Sequence, residues 1–159
     1  MHGCGNDYIY VYEENARIEN NKKAEAVQKL SDRHFGIGGD GVIFIHPLSG
    51  EEADFEMEMY NADGSRAEMC GNGIRCVAKY VYDKGLTDKE QLRIASCGKV
   101  KNIVLTVEDG KTASVKVNMG APVLAAEEIP VISGQKEAVA ERIEVEGKDY
   151  KMTCVSMGN

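Results

Sequence analysis

The stretch of the sequence richest in chemistry is Tyr60–Cys76, Y-N-A-D-G-S-R-A-E-M-C-G-N-G-I-R-C. Ile74, Val77, Ala78 and Val81 recur at helical spacing. A helix is therefore predicted over Gly71–Lys84, with Cys70 just before it and Gly85 where its C-terminal cap belongs. The first N–H groups of a helix have no internal partners, and the helix dipole puts partial positive charge there. A thiolate at Cys70 is stabilised by that setting and would act as a base. Gly71 and Gly73 leave the same N–H groups open, so the turn could also hold a carboxylate. The competing reading is a small, buried, inert cysteine. Against it stands Gly73, which costs a helix about 1 kcal/mol with no packing return visible in the sequence. Cys76, inside the helix, reads as a packing residue.

The elements that must position this segment follow from periodicity. Tyr8–Tyr12, Gly41–His46, Asp54–Asn61, Gln91–Ser96, Asn102–Glu108 and Thr112–Asn118 read as strands. In Asp54–Asn61 the side chains of Phe55, Met57 and Met59 face one way and those of Glu56, Glu58 and Tyr60 the other. Lys22–Phe35 reads as a helix with Ala24, Val27, Leu30, Ser31 and His34 on one stripe, stopped by Gly36. Ala62–Ser65 is a turn, and Asp109-Gly110 signals a hairpin. Glu141–Glu146 and Asp149–Met157 read as a second hairpin, and Ala125–Ala138 as a surface connection. Strands outnumber helices, which implies an α+β fold with a mostly antiparallel or mixed sheet wrapped around a central helix.

Composition narrows the partners. The 159 residues suit one domain. A formal net charge of −7 leaves no basic surplus for phosphates, so neither nucleic acid nor an anionic membrane is expected as a partner. No segment approaches the roughly 18 apolar residues of a membrane span, and no signal peptide is visible, so a cytoplasmic setting is expected. The five cysteines, Cys4, Cys70, Cys76, Cys97 and Cys154, are odd in number and irregularly spaced, which suits free thiols rather than a disulfide framework. Neither these cysteines nor His2, His34 and His46 show ligand spacing, so no metal site is expected. Gly36–Gly41 (G-I-G-G-D-G) lacks the lysine of a phosphate-binding loop and precedes a strand. It reads as a loop at the pocket rim rather than a nucleotide site. The acidic pairs Glu13-Glu14, Glu51-Glu52 and Glu127-Glu128 read as solvated faces, and Cys97 and Cys154 as residues of strands.

The run A-E-M-C-G-N-G-I-R-C resembles the first active-site motif of diaminopimelate epimerases. So do M-H-G-C-G-N-D-Y at the start, D-R-H-F-G-I-G-G-D-G at Asp32–Gly41, Y-N-A-D-G-S at Tyr60–Ser65, V-N-M-G-A-P at Val117–Pro122 and V-S-M-G-N at Val155–Asn159. Six motifs in the family's order cover essentially the whole chain. The resemblance implies a diaminopimelate epimerase-like fold and cofactor-independent inversion of an amino-acid stereocentre. One cysteine removes the α-proton, and a second returns one on the opposite face. The implied reaction interconverts L,L- and meso-diaminopimelate in lysine and peptidoglycan precursor synthesis, with no cofactor and no metal.

By resemblance Cys70 is one acid/base. Gly71 and Asn72 would hold the α-carboxylate through their N–H groups, and Asn6, Asn61 and Asn159 would bind the substrate. From residue type alone, Asn6 and Asn61 could simply form turns. Some family members carry glutamine where Gly41 stands, and an aliphatic residue where Cys4 stands, which suggests packing for Cys4. Family enzymes are nearly twice this long, and their second half carries the other cysteine, a further asparagine and a Glu-Arg pair. The resemblance therefore implies that residues 1–159 are the N-terminal domain, that the C-terminal partner domain is absent from this chain, and that the full-length protein is a homodimer. Alone, the chain is expected to be inactive. Two other readings remain open: a racemase of another amino acid such as histidine, and a non-catalytic binding module built on half of the fold.

Overall fold

The computed structural model describes residues 1–16 and 18–157, in two units, Met1–Asn118 and Met119–Asn159. In the first unit β1 (His2–Gly3) and β2 (Asn6–Tyr12) lead into α1 (Asn20–Ser31) and β3 (Gly41–Pro47). There follow β4 (Phe55–Asn61), β5 (Arg66–Ala67), α2 (Gly71–Asp83), β6 (Gln91–Ser96), β7 (Lys99–Glu108) and β8 (Lys111–Val117). The sheet has the order β1-β2-β3-β4-β6-β7-β8, with β5 also on β4. It is mixed: β2 runs parallel to β3 and β4 to β6, while the other pairs are antiparallel. Parallel neighbours need a crossover, and α1 lies in the first connection and α2 in the second. The expected α+β class with a sheet around a central helix is what the chain forms.

The hydrophobic pattern assigns the two helices to opposite faces. β3 is buried from Gly41 to Ile45, the continuous apolar run of a strand covered on both sides. Its Ile43 and Ile45 pack with Ile74, Val77, Ala78 and Val81 of α2. Val42 and Phe44, pointing the other way, pack with Val27 of α1. Residues of β2, β4, β6 and β7 join α2 in the larger core, and α2 also packs on β1 and β8. Each fully buried Ile or Val there contributes about 1.5–3 kcal/mol. The β4 alternation is as read from the sequence: Phe55, Met57 and Met59 are buried in that core.

Several expected boundaries move for identifiable reasons. The first helix ends at Ser31 rather than Phe35, because Asp32 Oδ1 accepts the N–H groups of His34 (2.7 Å) and Phe35 (2.8 Å) and turns the chain. Its inward stripe includes Lys23, Val27 and Ser31, while Ala24 and His34 are exposed. Cys97 is not in a strand. With φ 46° it occupies the turn Cys97-Gly98 between β6 and β7, and it is exposed.

In the second unit β9 (Glu141–Val145) and β10 (Lys148–Met152) form the expected hairpin. Among the described residues beyond β10, Ser156 forms an isolated bridge with Val123, and Cys154 lies outside a strand. The segment read as a surface connection holds a short 3-10 helix, Ala126–Glu128, and buries Ala126, Ile129 and Ala138. Among the described residues no helix is long and apolar enough to cross a membrane.

Candidate active site

Helix α2 begins where its sequence says it should. Cys70 is its N-cap, with extended backbone (φ −134°, ψ 109°), and its Sγ accepts the Gly73 N–H at 3.2 Å. One of the helix's unpartnered donors thus points at sulfur, the arrangement that stabilises negative charge there. Cys70 is half-buried at the edge of the main core rather than sealed within it. Gly71 opens the helix, and Asn72 follows with its Oδ1 accepting from the Arg75 guanidinium. Gly73 has a packing reason that the sequence did not reveal. A Cβ there would lie 2.7 Å from Ile43 Cδ1 and 3.5 Å from Cys70 Sγ. The glycine lets α2 approach β3 and brings its N–H to the thiol.

Sheet register brings Asn6 and Asn61 to one end of β2 and β4, the strands flanking β3. Gly41, the first residue of β3, pairs with Tyr8 of β2 on one side and with Asn61 of β4 on the other. Asn6 therefore lies at the start of β2 near the close of β4. The loop residue Asp40 ties the two: its N–H donates to Asp7 O (2.7 Å) and its carbonyl accepts the Ala62 N–H (2.9 Å). The Asn6 side chain reaches Cys70, with Oδ1 3.4 Å from Sγ. Asn61 closes a turn, its Nδ2 donating to Ser65 Oγ at 3.1 Å and its backbone N–H to Ser65 O. Asn159 lies outside the described residues. A Cβ at Gly41 would fall 2.0 Å from Tyr60 O, so this backbone admits no side chain at position 41.

The sequence reading missed a charged network behind Asn6. Asn6 Nδ2 donates to Asp40 Oδ2 at 2.7 Å, and the same oxygen accepts the Asp7 N–H at 3.0 Å. Arg33 donates to both Asp7 carboxylate oxygens (3.0 and 2.6 Å) and to Asp40 Oδ1 (2.9 Å). The Arg33 hydrogen bond holds the Asp7 carboxyl below the usual carboxylate range. That pair is therefore formed at neutral pH and opens only as pH falls through the lowered value. Cys4, expected to pack, is exposed in the turn before β2 with φ 56°, near Arg75. Cys76 is buried, as expected.

A second polar cluster lies on the α1 face. Lys23, only 1% exposed, sits 2.7 Å from Glu13 Oε1 and 2.6 Å from Glu58 Oε2. His46 bridges the same carboxylates through Nδ1 (2.7 Å) and Nε2 (3.2 Å), beside a cavity of about 630 Å³. Glu13, read as part of a solvated face, is thus ion-paired. Glu13, His46 and Glu58 have the donor types of a metal site. The Lys23 ammonium already lies between their carboxylates, where a cation would go.

The family model described as diaminopimelate epimerase matches residues 1–125. A protein called diaminopimelate epimerase from Acetivibrio thermocellus is 54% identical over the whole chain, which spans 55% of its length. One from Methanococcus maripaludis is 52% identical, with 56% of its length spanned. Among solved structures, a hydroxyproline epimerase from Agrobacterium vitis superposes with a TM-score of 0.60 at 13% identity, over 97% of this chain and 46% of its own. A phenazine biosynthesis protein of the PhzF family from Bacillus anthracis gives 0.58 at 20% identity, over 78% of this chain and 38% of its own. These two likenesses concern the fold.

Proposed function

The chain belongs to the diaminopimelate epimerase family, and from that premise we propose that it is the N-terminal half of an epimerase interconverting L,L- and meso-diaminopimelate. It spans just over half the length of the relatives it matches. The observation that carries the reading is the Cys70 sulfur at the tip of α2, half-buried, with the Gly73 N–H on one side and the Asn6 amide on the other.

An amino-acid α-proton is very weakly acidic, so the reaction needs a placed base and stabilisation of the charge that develops. In the proposed step the Cys70 thiolate takes the α-proton as the C–H bond breaks. The electron pair stays on the α-carbon and spreads into the carboxylate, which the Gly71 and Asn72 N–H groups hold. A thiol from the second half donates its proton to the opposite face, forming the new C–H bond and inverting the centre. In the reverse direction the two sulfurs exchange roles. Asn6, Asn61 and Asn159 bind the substrate's polar groups, since an amide offers donor and acceptor without charge. No cofactor takes part. The whole enzyme works as a cytoplasmic homodimer.

The test is to incubate L,L-diaminopimelate in D₂O with the 159-residue chain, alone and together with the C-terminal part of the Acetivibrio thermocellus relative. Inversion with solvent deuterium at the new α-position is expected only for the combination. Efficient inversion by the chain alone would contradict the half-enzyme reading. Inversion of other amino acids but not diaminopimelate would contradict the substrate.

A further inference from the structure

We infer that Asp40 is a positioning residue that keeps the Asn6 amide oxygen, rather than its NH₂, turned toward the Cys70 sulfur. The inference rests on the proposed role of Cys70 and adds what tunes it. A carboxamide can turn either end toward a neighbour, and only its partners decide which. Here Asn6 Nδ2 lies 2.7 Å from Asp40 Oδ2. Turning the amide over would set oxygen against a carboxylate oxygen at that distance. Asp40 itself cannot swing away easily, because its side chain is held by Arg33 and by the Asp7 N–H. Its backbone bonds to both β2 and the chain after β4. The amide orientation is thus fixed from outside the site.

The consequence is a two-sided setting for sulfur. At 3.2 Å stands a donor, the Gly73 N–H, which suits a thiolate. At 3.4 Å stands an acceptor, Asn6 Oδ1, which suits a thiol. A group that must take a proton and then give it back has to be tolerable in both states. With Asp40 removed, Asn6 can present NH₂, the sulfur faces two donors, and the thiolate is favoured over the thiol. Tyr8 and Tyr10 on β2 also interact with the sulfur, and Tyr10 with Cys76 on α2. Burial pushes both phenols up, so they stay neutral through the neutral range.

The experiment follows iodoacetamide alkylation of Cys70 in the 159-residue chain across pH, read by mass spectrometry of its peptide, because Cys4 and Cys97 are also exposed. Asp40→Ala is expected to alkylate about threefold or more faster than wild type near neutral pH, its profile moved toward lower pH. Asp40→Asn keeps an oxygen for Asn6 but turns its NH₂ toward Arg33, so it is expected to fall between Asp40→Ala and wild type, with circular dichroism checking that both variants fold. In an Asn6→Ala background, Asp40→Ala is expected to add nothing. A wild-type profile for Asp40→Ala overturns the inference. So does acceleration that persists without Asn6, which would mark a direct charge effect. The readout needs no turnover, so its outcome is separate from that of the inversion assay.

Discussion

Lys23 is a charge buried almost completely, and it survives because two carboxylates meet it. Burial works against its ammonium, but the hydrogen bonds it donates to Glu13 and Glu58 outweigh that and push its titration above the ordinary lysine range. Burial alone would raise Glu58, yet Lys23 carries it below the ordinary glutamate range. The lysine contribution is complete below the ordinary lysine value and is lost only above the raised one. The glutamate contribution is complete above the ordinary glutamate value and is lost as pH falls through the lowered one. The cluster therefore stabilises the fold across neutral pH. Lys23→Met is expected to cost about 3 kcal/mol in urea unfolding at pH 7, because two shielded carboxylates lose their counter-charge. The deficit should shrink as pH falls through the glutamate range. A deficit that does not change with pH would show that Lys23 acts by packing alone. Nothing in the local sequence marks Lys23 as buried. Its partners lie 10 and 35 residues away, and although Lys23 sits one turn before Val27 on the inward stripe, its charge hid it from a search for apolar periodicity. Cys70 was legible for the opposite reason: a helix cap is set by neighbours in sequence. The Arg33–Asp40–Asn6 chain again was not, since Asn6 and Asp40 are 34 residues apart.

The contact that sets the helix carrying the candidate site is that of α2 on β3. Helix propensity alone would favour alanine at position 73 by about 1 kcal/mol. Ile43 opposes it, being fully buried with its Cδ1 where the new methyl would go. Overpacking of this kind costs about 1–3 kcal/mol. Gly73→Ala should therefore be net destabilising by about 1 kcal/mol. Ile43→Val, which alone costs about 1 kcal/mol, should cost little or nothing in that background. Additive losses in urea unfolding would rule out this contact as the reason for the glycine. Periodicity found α2 almost to the residue and gave β4 its correct inward face. It could not find the parallel pairs β2–β3 and β4–β6, because those are joined through helices and leave no turn signal between them. The end of α1 was misplaced because an aspartate side chain, rather than the first glycine, takes the N–H groups beyond it.

For the whole molecule, the proposed function has this chain supply one face of a two-faced reaction and a second half supply the other sulfur. The family was readable from six short motifs, and the matches at 54% and 52% identity agree with it. The claim stands or falls on Cys70. Its most direct test is the rate of solvent-deuterium entry at the α-carbon of diaminopimelate, measured with the chain joined to the complementary half of a relative, for wild type and Cys70→Ala. Loss of a placed acid/base should lower inversion by about 10²–10⁴-fold, with circular dichroism and urea unfolding close to wild type. Inversion retained within about tenfold of wild type, far short of that loss, would show that the proton travels by another route.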